Sequence, residues 1–232
     1  MSDWSHGAVQ ARWIGALWVR TPRGSFLIDA PAGIARALAE ADGLHDLRTV
    51  IVSTNRLRSV EGLPGLCEAI ARARGKDAVL HVVHGLDCPR VAAIADAWTR
   101  GWPDSTGIAL DGVRSADPIE LAGDAEVTLT SLTAAEPGPG GGVVPVSGAA
   151  VRVSVGGVDI VWVPAARPNA AHARASVGAA LAVLEIGRAP WPKVEQPWRP
   201  TLPQALAVSQ HADAVWIVGD DGARVDTESD ES

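Results

Sequence analysis

The chain has 232 residues, 47% of them hydrophobic, and a formal net charge of −7 at pH 7. That length fits one large α/β domain or two small ones and leaves ample apolar material for a core. No apolar run reaches the roughly 18 residues that span a bilayer, and two cysteines without a CxxC spacing, Cys67 and Cys88, argue against a disulfide scaffold.

Met1-Ser2-Asp3-Trp4 carries neither a basic n-region nor an apolar h-region, so no secretory signal is expected and the chain reads as cytoplasmic. From Asp220 to Ser232 six acids stand against one Arg, a local charge of −5, which leaves about −2 for the body. The expected organisation is therefore a single domain over residues 1–219 and an acidic, solvated, disordered tail over 220–232. A near-neutral body gives no general electrostatic case for nucleic acid.

In chain order, Ala16–Arg20 and Ser25–Asp29 are short apolar runs around Thr21-Pro22-Arg23-Gly24, a hairpin signal. Ile34, Ala37, Leu38 and Ala41 recur at helical spacing, and Gly43 ends that helix. Thr49–Ser53 is β-branched and apolar, as in a buried strand. Leu63–Arg74 places Leu66, Ile70 and Ala73 on one helical face. Ala78–His84 reads as a strand, and Pro89–Arg100 as a helix with Val91, Ile94, Ala95 and Trp98 inward. Strand and helix thus alternate in the α/β manner.

The second half is richer in strands: Glu126–Leu132, Ala149–Val155, Val158–Val163, Leu181–Ile186 and Ala214–Val218. Gly156-Gly157 makes a two-residue hairpin turn, and Leu202–His211 is helical in pattern. Ala134–Gly142, with Pro137, Pro139 and three consecutive glycines, reads as a long loop. Ala189–Pro200, with Trp191, Trp198 and four prolines, reads as another.

Two segments together resemble the metallo-β-lactamase superfamily, in particular its ribonuclease Z and PQQ-biosynthesis-B-like branches. Phe26-Leu27-Ile28-Asp29 and Gly33 are similar to the turn that follows that family's opening hairpin. Gly62-Leu63-Pro64-Gly65 is similar to the segment after its HxHxDH metal motif. The resemblance implies a four-layer αββα sandwich over about Trp13 to Gly219. It also implies where the metal ligands should stand. Counting back from Gly62, the motif positions fall on Thr54, Arg56, Arg58 and Ser59. The third-region His falls near Thr133 or Ala134, the bridging Asp on Pro164-Ala165, and the last His on Gly219 beside Asp220.

Zinc takes imidazole, thiolate or carboxylate donors, and an arginine is permanently cationic. No metal ligand is therefore expected at these positions, and no cofactor. His81 and His84 form the only close histidine pair, but i and i+3 on a strand point to opposite faces. Both read as ordinary strand residues, and Cys67 and Cys88 as small core hydrophobes. No GxSxG elbow is present, Ser53 and Ser59 have no His partner in sequence, and no Lys-Ser/Thr follows the glycines of 138–142. The catalytic set is empty.

What remains is a vestigial site of Asp29, Thr54, Arg56, Arg58 and Ser59. Arg56 and Arg58 either bridge to Asp29 or Glu61 as an internal strut, or present donors to a small anionic ligand. Asp29 is the expected partner. Trp191 and Trp198, in a Pro-rich segment, are the candidate partner-binding residues, since Trp buries much area with little rotamer entropy. Trp98 and Trp102 are a second aromatic pair, at a helix end, which either faces a partner or packs the core. Inactive members of the superfamily pair with active ones, so the resemblance implies a catalytically inactive structural or regulatory subunit with a protein partner or a second copy. The alternatives are a metallo-hydrolase-like enzyme with a non-standard site, and a small-anion sensor using Arg56 and Arg58.

Overall fold

The computed structural model describes residues 3–75, 77–85, 88–101, 107–113, 119–121, 125–137, 143–165, 170–186, 207, 211–219 and 224–227. The first sheet holds seven strands in sequence order: β1 (Trp4–His6), β2 (Val9–Trp13), β3 (Leu17–Thr21), β4 (Gly24–Ile28), β5 (Leu47–Val52), β6 (Val79–Gly85) and β7 (Gly107–Val113). β1 to β4 run antiparallel and β4 to β7 parallel. The parallel steps need crossovers, which α1 (Ile34–Glu40), α2 (Leu63–Arg74) and α3 (Pro89–Gly101) supply.

The second sheet repeats the plan. β8 (Ile119–Leu121), β9 (Ala125–Pro137), β10 (Val143–Val155) and β11 (Val158–Val163) are antiparallel neighbours. β12 (Leu181–Glu185) and β13 (Val215–Val218) continue in parallel, with α4 (Ala170–Ser176) between β11 and β12. β14 (Arg224–Thr227) closes the edge antiparallel to β13.

Alternation along the strands makes the layers. Phe26 and Ile28 face the second sheet, where they meet Val127, Val151, Ile160 and Val183. Leu27, between them, points the other way and packs with Ile34, Leu38, Leu66 and Ile70 of the helices. On the outer face of the second sheet Val161, Val163 and Leu184 pack with Ala175 of α4. The result is helix, sheet, sheet, helix, the sandwich expected from the sequence.

Several expectations need correcting. Ala134–Pro137 is not loop, because β9 and β10 keep pairing outward to Pro137–Val143, each strand 13 residues long. Once a ladder is started, each added residue satisfies backbone groups that would otherwise need other partners, and this outweighs the local turn signals. Residues 138–142 lie outside the described set. The acidic tail contains β14, whose backbone pairs with the edge of β13. Trp98 is core among the helices, 5% exposed, as its inward position on the helix implied; of the two alternatives for the aromatic pair, packing holds for this residue. β1, β2, β7, β8 and α4 were not foreseen. Trp102, Trp191, Trp198, the loop at 189–200 and most of the helix expected at 202–211 lie outside the described residues. As expected, Gly156 and Gly157 have φ of 56° and 83°, the left-handed pair that a two-residue β10–β11 turn requires.

Candidate functional site

The ends of β4, β5, β11 and β12 meet at one rim of the sandwich. Asp29 follows β4 in a left-handed conformation, φ 65°, and its N–H donates to the Ile51 carbonyl at 2.9 Å. Its carboxylate accepts from the Ser53 N–H at 2.8 Å and the Ser53 hydroxyl at 2.6 Å. Desolvation by burial nevertheless pushes the Asp29 carboxyl up to about 6, outweighing those hydrogen bonds; Glu185 raises it further and Arg58 opposes.

Beyond β5 the chain crosses from one sheet to the other. The Ala149 N–H donates to the Ser53 carbonyl at 2.7 Å and the Asn55 N–H to the Ser147 carbonyl at 2.8 Å. Thr54 lies opposite Gly148 of β10 as an isolated bridge. A 3₁₀ turn over Leu57–Ser59 follows and returns toward β4, where the Ala30 N–H donates to the Ser59 carbonyl at 2.8 Å. Gly62 then presses on the same turn: a Cβ there would lie 2.1 Å from the Pro31 carbonyl oxygen. The glycine after the motif is thus explained by close backbone approach.

All five expected site residues fall within this region, in different roles. Thr54 and Ser59 are buried and share a hydroxyl–hydroxyl hydrogen bond of 2.7 Å. Arg56 is only 3% exposed. Its Nη1 donates to Glu185 Oε2 at 3.1 Å and its Nη2 to the Ala165 carbonyl. The Ala165 N–H completes the ring by donating to Glu185 Oε2 at 2.8 Å. Arg58, with a side chain 38% exposed, reaches Glu185 Oε1 at 2.6 Å through Nη2.

The carboxylate that takes both arginines is therefore Glu185, not Asp29 or Glu61. Asp29 turns its oxygens to Ser53, and Glu61 accepts from the Ala32 N–H at 3.4 Å. Glu185 was missed as a site residue, although a signal existed: it is the one acid in the apolar run Leu181–Ile186. An acid on a fully buried strand needs a charged partner.

A metal does not fit this donor set. Two hydroxyls and two guanidiniums hold the positions where ligands are implied, Ala165 offers only backbone, and Arg56 is itself a buried cation. Among the described residues no group of three or more His, Cys, Asp or Glu side chains is placed to hold an ion. His81 is exposed and His84 buried on β6, with His84 Nδ1 2.7 Å from the Gly85 carbonyl oxygen. Cys67 and Cys88 are both buried, as expected. Among the described residues no helix is long and apolar enough to cross a membrane.

No family model and no curated protein matches the sequence. Solved structures match the fold. Human tRNase Z, short form, superposes with a TM-score of 0.67 at 12% identity over 94% of each chain. The metallo-β-lactamase fold protein YhfI from Bacillus subtilis gives 0.64 at 14% identity, covering 87% of this chain and 76% of its own. A diphosphatase from the PhnP family gives 0.62 at 12%, covering 87% and 70%. The chain has the metallo-β-lactamase fold.

Proposed function

We propose that this chain uses the metallo-β-lactamase fold without hydrolysis, as a cytoplasmic structural or regulatory module that binds a protein partner or a second copy of itself. One observation carries the reading. Arg56, buried at the rim, is held by Glu185 and the Ala165 carbonyl, and Arg58 closes the other side of the same carboxylate. A guanidinium can serve as the cation of such a centre, because its planar fork gives several directed hydrogen bonds and its charge never dissociates. Nucleic acid, membrane and cofactor have no part in this reading.

Metal analysis tests the chemistry. After incubation with zinc or manganese and desalting, the purified chain is expected to retain far less than one equivalent. Stoichiometric retention would overturn the proposal in favour of a hydrolase with an unconventional site. Affinity purification from the source cell tests the partner: a stable complex or a dimer is expected, weakened by Trp198→Ala. Recovery of free monomer alone would count against it.

A further inference from the structure

β9 and β10 pair along their whole length, but their neighbours cover only the inner part. β11 pairs with residues 151–155 and β8 with 125–127, while the chain at 53–55 meets 147–149. The outermost pairs, from Val143 opposite Pro137 to Val146 opposite Ala134, have no strand on either side among the described residues. Residues 134–137 and 143–146 therefore form a two-stranded arm, a structure that is marginal in water by itself. Its sequence is apolar apart from Glu136. Pro137 and Pro145 lack the N–H that a further strand would need, so the arm offers apolar faces rather than a ladder.

Val146 packs partly on the outer-face core, whereas Val143 and Val144 are exposed, Val144 by 42%. At the foot of the arm the Asn55 N–H donates to the Ser147 carbonyl at 2.8 Å, and Leu57, two residues on, is 55% exposed. One arm thus carries an exposed apolar side chain at its outer end and another at its foot.

Geometry and size select the occupant. Two arms laid side by side about a twofold axis run antiparallel, so the outer end of each meets the foot of the other. Val144 of one copy then faces Leu57 of the other. Glu136, opposite Val144 in the register, falls beside Arg58, the half-exposed cation next to Leu57. An arm of this length is about 14 Å long and 10 Å wide. Docked one way onto another protein it would bury about 560 Å² in total even with both faces covered, the size of a crystal contact. Exchange about a twofold uses the same contact twice, about 1,100 Å², and reaches the lower end of specific interfaces.

We infer that two copies of this chain dimerise by exchanging this arm, Val144 of each packed on Leu57 of the other. The inference rests on the non-catalytic reading and names its partner, since a second copy laid over Leu57 and Arg58 covers the rim that a hydrolase would keep open.

Sedimentation equilibrium of the full chain is expected to show a monomer–dimer equilibrium at micromolar concentration. Val144→Lys, at an exposed position, is expected to raise the dimer dissociation constant about tenfold or more. A second readout does not depend on that variant. Val144→Cys and Leu57→Cys chains, made separately and mixed under mild oxidation, are expected to form a disulfide with each other, while neither crosslinks alone. Cys67 and Cys88 are buried and do not compete. A chain that stays monomeric at every concentration, or a dimer that ignores Val144→Lys and forms no mixed disulfide, overturns the inference. Metal content of the same preparation separates the two proposals. A metal-free chain that stays monomeric overturns the arm alone, whereas stoichiometric zinc overturns the reading beneath it.

Discussion

Arg56 and Glu185 are 129 positions apart in sequence and 3.1 Å apart at the rim where the two sheets meet. Their side chains are 4% and 3% exposed, so each is out of water and depends on the other. Losing one partner of such a pair leaves an uncompensated buried charge, at a cost of about 3–5 kcal/mol. Glu185→Gln keeps the shape but removes the charge, and is expected to lower the urea midpoint by the equivalent of about 3 kcal/mol with the slope unchanged. The double variant Arg56→Met, Glu185→Leu is expected to recover most of that loss, because Arg58 is near enough to the surface to turn to water. A double variant as unstable as the single one would mean that the pair adds more than charge balance.

Gly62 tests the other support of the rim. An added Cβ would stand 2.1 Å from the Pro31 carbonyl oxygen and 2.8 Å from that of Ala30, both backbone atoms. Gly62→Ala is therefore expected to cost about 3 kcal/mol, the upper end for overpacking. Gly65, three residues on and inside α2, has open space around it. Gly65→Ala is expected to gain about 0.5–1 kcal/mol from helix propensity. Equal losses at both positions, measured by denaturant unfolding, would show that general disturbance of α2 explains Gly62.

How much of this rim was legible differs from residue to residue. The Asp29 turn and Gly62 were legible through the family resemblance, which rests on Phe26-Leu27-Ile28-Asp29 and Gly62-Leu63-Pro64-Gly65. β5, α2 and β11 were equally plain, since their apolar periodicity is uninterrupted. β1 and β2 were missed although β2 alternates strictly, with Val9, Ala11 and Trp13 inward and Gln10 and Arg12 outward; β1 and β2 are only three and five residues long, and polar residues fill the outward half. The outer parts of β9 and β10 carry proline and glycine signals that local reading assigns to a loop, while cross-strand pairing decides otherwise. The Arg56–Glu185 contact was hidden for a different reason. Asp29 is nearer in sequence, and only the parallel register of β11 with β12 brings Glu185 to the same rim.

Asp29 sets a pH dependence. Its carboxyl rises from 3.8 to about 6 on folding, chiefly through desolvation. Between these values the native state holds a proton that the unfolded chain releases. The stabilisation from Asp29 is then fully present below about 4, declines as pH rises through the window and is lost above about 6. A shift of this size corresponds to at most about 3 kcal/mol, and about 2 kcal/mol is expected because part of the residue still reaches solvent. Asp29→Asn keeps an acceptor for Ser53 and removes the titration. The stability of the native chain relative to this variant is expected to fall by that amount between pH 4 and 6.5. A flat difference would mean that Asp29 stays ionised throughout.

Thiol reactivity reports on the helix layer. Cys67 lies on the buried face of α2 with no exposure, and Cys88, just before α3, is 4% exposed. Burial pushes the Cys67 thiol up to about 12, so both the thiolate and the access that disulfide exchange requires are missing. Ellman's reagent at mildly alkaline pH is expected to leave Cys67 unmodified for as long as the chain is folded. As denaturant is added, Cys88 is expected to react first, since opening the head of α3 is enough to expose it. Cys67 is expected to follow the global unfolding free energy, because α2 packs directly against the strands that carry the Arg56 rim. Rapid labelling of Cys67 in the native chain would place α2 outside the cooperative core and remove the support assumed for Arg56.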